Sequence, residues 1–343
     1  MLEKRYIFTD SSDSESDYIL VEGNTLVDYV GNSNKLIIPE GIEKIKKFKS
    51  TFASKCILSV LSIPASVKEI DELAFFECAS LRKIIVSPEN PHYCSENGVL
   101  YNKSRTYIIY CPDIEKLHIP STVENMDDTA LSFCPNLSEI TVSDDNKYFS
   151  AENNILYDKT KSLLFRCAMG NRAEQIIIPD TVEIIEADAF SNCIHIKSVY
   201  IHDNVKNINT LMFRNCLSLE EVRLPDGLKQ INFSMFAGDL RLKRIQIPGS
   251  VESICAYAFC GCSGLKSIHL PYGVKNLDRF CFAKCSNLKE IVIPESVDAI
   301  DEDIFYPSDF ERSNFIENLV IHCKENSAAH KYADMHGIKY ELQ

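Results

Sequence analysis

A chain of 343 residues with a formal net charge of -13 and a pI near 5.2 lacks the basic stripe that binding to nucleic-acid phosphates or anionic lipid requires. Apolar residues make up 45% of it, enough for a core, yet no run approaches the ~18 consecutive apolar residues of a membrane-spanning helix, so membrane insertion is not expected. Its 14 cysteines are spread along the whole length, which points to a reducing compartment and away from a small disulfide-stapled fold.

Residues 1–18 contain no apolar leader segment and read as a disordered acidic arm, whose serine-rich centre from Asp10 to Asp17 is solvated. On that reading the protein is cytoplasmic; the alternative is a secreted or cell-surface protein from which a leader was removed. ILVEGNTLVDYVGNSNKLIIP, from Ile19, separates apolar runs by Gly-Asn turns. It predicts a hairpin that shields the first apolar layer and opens a single domain over 19–343.

From there a proline slot recurs at Pro39, Pro64, Ser87, Pro120, Ser143, Pro179, His202, Pro225, Pro248, Pro271 and Pro294, and most of the intervals are 23 residues. Self-similarity at that period predicts a solenoid. Each coil presents an apolar side that it cannot cover alone and must stack on its neighbours.

The coils starting at Ser87 and Ser143 are longer than the rest. Their extra residues match each other at an offset of 56, pairing Asn90 with Asn146, Tyr93 with Phe149, Leu100 with Leu156 and Tyr101 with Tyr157. Glu-Asn-Gly and Glu-Asn-Asn before Val-Leu-Tyr and Ile-Leu-Tyr suit turns of positive φ that feed strands. Two β-hairpin excursions projecting from the coils are expected, with the aromatic residues pinning each hairpin to its coil.

In an ordinary coil, Leu-Lys-Glu-Ile-Val-Ile-Pro reads as a short strand with Ile291 and Ile293 inward and Glu290 and Val292 outward, ended by Pro294. A Val-x-x-Ile step places two more residues inward. Ala258, Phe259 and Cys262 then fit a short helical turn on the opposite wall, with phenylalanine as the large filler. Cysteines 78, 134, 193, 216, 262 and 285 share one slot, where a small apolar side chain can aim its thiol at backbone carbonyls. Cys193 and Cys216, and likewise Cys262 and Cys285, fall on consecutive coils within geometric reach of a disulfide, whereas no CxxC pair supports zinc. After Phe305 the pattern loosens in YPSDFERSNFIEN. A strand at Leu319 to Ile321, a helix capped by Asn326 or Ser327 and by Gly337, and a strand at Ile338 to Leu342 close the array.

The line IPxSVxxIxxxAFxxCxxLKxI, carried by Pro179 to Val199 and by Pro248 to Ile291, resembles the BspA-type leucine-rich repeat family over nearly the whole chain from about Leu20. NPHYCSENGVLYNK and NKYFSAENNILYDK look like an interruption common in that family, and the closing helix-strand unit is similar to its usual C-terminus. The resemblance implies a β-rich α/β repeat: a right-handed leucine-rich-repeat solenoid with a parallel sheet, short helical turns, two β-hairpin excursions and a C-terminal helix-strand cap. It also implies binding or adhesion at a cell surface, and it brings no catalytic residues.

Outward strand positions would line one continuous face: Lys116 and His118, Gln175 and Ile177, Ser198 and Tyr200, Glu221 and Arg223, Arg244 and Gln246, Ser267 and His269. These vary from coil to coil while the inward positions do not, as a recognition surface on a rigid scaffold requires. Tyr200, Glu221, Arg223, Arg244, Gln246 and His269 are the candidate binding residues, because Tyr and Arg anchor interfaces. No GxSxG, P-loop, GxGxxG or EF-hand pattern occurs, and the eight histidines are scattered. The expected protein is therefore a monomeric, non-catalytic scaffold without cofactor or metal, binding a protein partner through the exposed sheet face. The alternative is an adhesion module that recognises host protein or glycan.

Overall fold

The computed structural model describes residues 4–8, 18–30, 33–47, 57–75, 78–306 and 318–343. The acidic stretch from Asp10 to Asp17 and the loosened segment 307–317 lie outside the described residues. The chain divides into two compact units, Met1–Ser150 and Ala151–Gln343.

In the first unit, Tyr18–Glu22 and Thr25–Val30 form the expected hairpin, with Gly23 supplying the positive φ of its turn. Lys4–Phe8 adds a third, antiparallel strand, running from Lys4 opposite Glu22 to Phe8 opposite Tyr18. The sequence reading had placed these five residues in a disordered arm; KRYIF is rich in strand formers, and the acidic run begins only after it. One wall is a parallel ladder of Lys35–Ile37, Val60–Ile63 and Lys83–Val86, and a second parallel pair joins Lys116–Ile119 to Glu139–Val142.

The first long coil does not project. Asn97 (φ 51°) and Gly98 (φ 89°) make the turn between Tyr93–Glu96 and Val99–Asn102, and the next strand, Tyr107–Tyr110, runs parallel to Asn125–Met126 of the following coil. The hairpin is thus built into the wall. Leu100 and Tyr101 are buried because the stem packs as a layer of the core.

The second unit opens on the matching strands Ile155–Asp158 and Leu163–Cys167, again with Leu156 and Tyr157 buried. Leu163–Cys167 then pairs in parallel with Ile184–Ile185, and that strand with Asn207–Ile208. The same wall resumes with Gln230–Ile231, Ser253–Ile254, Asn276–Leu277 and Ala299–Ile300.

The Ala-Phe-x-x-Cys segments close through i to i+3 bonds, such as Cys262 N–H to Phe259 carbonyl at 3.0 Å, but left-handed residues interrupt them, here Tyr257 (φ 60°) and Gly261 (φ 79°). The alternation turns every second N–H along the stack. Phe259 N–H bonds Cys281 carbonyl at 2.8 Å and Gly261 N–H bonds Ala283 carbonyl at 2.8 Å, which forms a further inter-coil ladder. Over it Phe190, Phe213, Phe236, Phe259 and Phe282 stack with centroids 5.3–5.6 Å apart, and Phe305 and Tyr332 extend the column. Tyr332 belongs to the capping helix Ala328–His336, which has Ser327 as N-cap, accepting from His330 N–H, and left-handed Gly337 at its C-terminus.

The shared cysteine slot does what its position suggested. The Cys216, Cys262 and Cys285 thiols donate to the carbonyls of Phe190, Phe236 and Phe259 at 3.0–3.1 Å. No disulfide joins cysteines among the described residues. Burial pushes these thiols well above their ordinary pKa, so they stay protonated donors.

Candidate recognition face

In the second unit the outward wall contains two parallel ladders. One joins Gln175–Ile177, Ser198–Tyr200 and Glu221–Arg223; the other joins Ser267–His269, Glu290–Val292, Val320–Cys323 and Lys339–Leu342. The candidate residues are therefore divided. Tyr200, Glu221 and Arg223 share the first ladder and His269 stands on the second, while Arg244 and Gln246 lie in a stretch, 242–248, that has no strand structure.

On the first ladder, Ile177, Tyr200 and Arg223 stand in register on adjacent strands. Ile177 is 75% exposed and Tyr200 48%, so two large apolar side chains are presented side by side. The Arg223 guanidinium lies 5.3 Å from the Tyr200 ring centroid. It is committed to its own chain, donating to the Ile201 carbonyl at 2.7 Å and pairing with Asp203 at 2.7 Å. Asp203 in turn accepts from Asp226 N–H at 2.8 Å. The Arg223 hydrogen bond, followed by that N–H, lowers the Asp203 carboxyl to about 2. Arg223 thus orients Tyr200 instead of offering an open cation.

Sequence reasoning named Ile177 as outward without choosing it as a binding residue, and it missed Asp203. The signal for Ile177 was weak in sequence, because the same outward slot also holds Ile37, Ile85 and Val292; what sets Ile177 apart is its 75% exposure beside Tyr200. Asp203 carried none, because it follows the corner slot at His202 and meets Arg223 only through coil stacking.

Arg244 and Gln246 line a cleft of about 570 Å³ together with Glu221, Arg223, Leu224, Asp226 and Pro248. In the first unit, Lys116 and His118 occupy the equivalent outward slots. Lys116 pairs with Glu139 at 2.7 Å, and His118 bonds the Thr141 and Ser143 hydroxyls at 3.0 and 3.1 Å. Among the described residues, no cluster of His, Cys, Asp and Glu could hold a metal ion, and no helix is long and apolar enough to cross a membrane.

Residues 29–163, 161–239 and 229–330 match the profile of the BspA type leucine rich repeat region, with six copies. The chain belongs to the BspA-type leucine-rich-repeat family. Solved structures share its fold. A leucine rich cell surface protein from Faecalibacterium prausnitzii A2-165 is 23% identical with a TM-score of 0.52, covering 90% of this chain and 99% of its own. A leucine-rich repeat protein from Eubacterium ventriosum is 18% identical with a TM-score of 0.58, over 89% and 97%. The pneumococcal vaccine antigen PcpA is 17% identical with a TM-score of 0.51, over 90% and 79%. No curated protein is similar in sequence to this chain.

Proposed function

We propose that residues 19–343 act as one non-catalytic, monomeric scaffold that binds a protein partner through the outward sheet face of its second unit. The observation that carries this is the adjacent pair Ile177 and Tyr200, exposed in register on paired strands while the inward residues of the same strands, Ile176 and Val199, are buried. Adjacent large apolar side chains left uncovered on a regular sheet mark an interaction surface. A tyrosine held by an arginine loses little side-chain freedom on binding. Replacing Ile177 with Thr and Tyr200 with Ala together is expected to shift stability by less than about 1 kcal/mol, since both sites are exposed. The double variant is expected to abolish capture of the partner from lysate of the source cell. An unchanged capture profile would sink the assignment of the face.

A second reading is a surface adhesion module that recognises host protein or glycan. It is favoured by two proteins of similar structure, one a leucine rich cell surface protein and the other a pneumococcal vaccine antigen. Antibody labelling of intact source cells separates the two readings: labelling supports the surface module, and labelling only after lysis supports the internal scaffold.

A further inference from the structure

The stretch 242–248 breaks a hydrogen-bond pattern that every flanking coil keeps. Ile178, Ile201, Leu270 and Ile293 each donate N–H to the next coil, to the carbonyls of Tyr200, Arg223, Val292 and His322, at 3.0 Å. The carbonyls of Glu174, Lys197, Lys266 and Lys289 each accept from the next coil in the same way. The matching groups are Leu224 N–H and Glu220 carbonyl against Gln246 carbonyl and Lys243 N–H on the side where the cleft opens, and Ile247 N–H and Lys243 carbonyl against His269 carbonyl and Lys266 N–H on the side where it does not. Among the described residues they make no such bonds. Glu221 N–H and Arg223 carbonyl face the preceding coil, so by alternation Val222 N–H also points into the opening.

The side chains tell the same story. Ile245, the inward residue of this coil, is only partly buried where Val199, Val222, Ile268 and Ile291 are fully so. Glu221 and Arg244 are 23 residues apart, as Lys116 and Glu139 are, but the latter pair closes at 2.7 Å while no ion pair joins the former. On the opposite wall Gln230–Ile231 still pairs with Ser253–Ile254, and Phe236 and Phe259 stack at 5.3 Å. The coil is hinged open on one side only.

The first unit has a comparable edge and fills it. Ile84 and Val86 occupy the strand positions of Val222 and Leu224. Ile84 N–H donates to the Gly98 carbonyl at 3.0 Å and Val86 N–H to the Ser95 hydroxyl at 2.9 Å, both from the hairpin of the same chain. A Cβ at Gly98 would come within 3.3 Å of the Arg82 carbonyl, so the hairpin tip seats closely on that edge. Among the described residues of the second unit no segment plays this part.

We infer that the cleft between Glu221–Leu224 and Arg244–Gln246 is a slot for an extended segment of a partner protein, which completes the sheet by strand addition. The occupant follows from the lips. Main-chain groups satisfy Val222 N–H, Leu224 N–H and Gln246 carbonyl. Alternate apolar residues cover Val222 and Ile245. The outward residue level with Glu221 and Arg244 sits between a carboxylate and a guanidinium, which an Asn or Gln amide satisfies because it both donates and accepts. The inference rests on the scaffold reading and gives it a contact chemistry.

The test is amide hydrogen exchange of the full chain, read by residue-resolved NMR. The probe is a capped peptide in which threonine and valine alternate around one glutamine. In the free protein the Leu224 amide is expected to exchange at least about 100-fold faster than the Ile201 amide, as an open hydrogen bond does. The peptide at millimolar concentration is expected to slow exchange at Val222 and Leu224 by about tenfold. N-methylation of alternate peptide residues is expected to abolish that effect, and Arg244→Ala to weaken it several-fold. Three results overturn the inference: a Leu224 amide as protected as Ile201 in the free chain, no protection by the peptide, or equal protection by the N-methylated peptide. None of these bears on partner capture through Ile177 and Tyr200, so failure of the slot and failure of the face are told apart.

Discussion

Asp239 is fully buried; its Oδ1 accepts Cys216 N–H at 2.8 Å, and its Oδ2 has no hydrogen-bond partner. With no cation paired to it, burial holds the carboxyl well above the usual carboxylate range and the folded protein keeps it neutral. The sign follows from proton linkage. Above the unfolded carboxylate pKa the native state binds the extra proton, so stability falls as pH rises toward the folded pKa. Asp239→Asn removes that slope, and the difference between variant and parent in urea midpoint should grow from pH ~5 to pH ~8 in favour of the variant. A constant difference across that range would contradict a neutral Asp239. Asp203 has the opposite sign: its carboxyl, held at about 2 by Arg223, favours folding above the ordinary carboxylate pKa, and that contribution is lost as pH falls through about 2. Neither behaviour was legible in the sequence. Asp239 stands in the slot that holds cysteine in the flanking coils, Cys216 and Cys262, so the period places it inward, but nothing in the period shows that a carboxyl there meets no cation. Tyr200 was legible as outward because strand alternation fixes the side on which it emerges.

Two elements carry most of the architecture, and the sequence exposed them unequally. The repeating phenylalanine was visible as a filled slot, and the column it builds predicts a local cost. Phe259→Ala, which removes one ring between Phe236 and Phe282, should destabilise by about 3–5 kcal/mol in thermal or urea unfolding. The 56-residue match was equally visible, but not the reason that Asn90 and Asn146 take part in it. Asn146 donates to the Pro120 and Val123 carbonyls at 2.8 and 3.0 Å and accepts from the Tyr148 and Phe149 N–H groups at 2.8 Å, and Asn90 repeats the arrangement on the preceding coil. One side chain thereby ties the long coil to its neighbour. Asn146→Ala leaves four main-chain groups without their partner, two of them in buried hydrogen bonds, and should cost about 3 kcal/mol, whereas Asn146→Asp should cost more, because a carboxylate would face two carbonyls. The expectation that these hairpins project failed for a related reason. A short turn with positive φ looks the same in a sequence whether its stem stands free or packs as a core layer, and Tyr101 and Tyr157 settle into the core only because neighbouring coils offer them room.

At the scale of the whole molecule, a repeat separates what holds it up from what it can recognise. Inward residues repeat because each must fill the same layer, so the fold was legible from one chain. Outward residues are free of that constraint, which made the candidate face visible and left its partner unwritten. What period alone does not reveal is a fault in the stacking. Coil 242–248 keeps the 23-residue spacing, the proline and the inward Ile245 and Ile247, yet it opens on one wall and divides the candidate residues between two ladders. The measurement that tests the central claim most directly places a photo-crosslinking amino acid at position 200, on the face, and in a second protein at Leu217, exposed at the turn wall away from the outward strands. Illumination in lysate of the source cell should join a discrete partner to the chain from position 200 and not from position 217. Equal crosslinking from both positions, or none from position 200, would contradict recognition through this face.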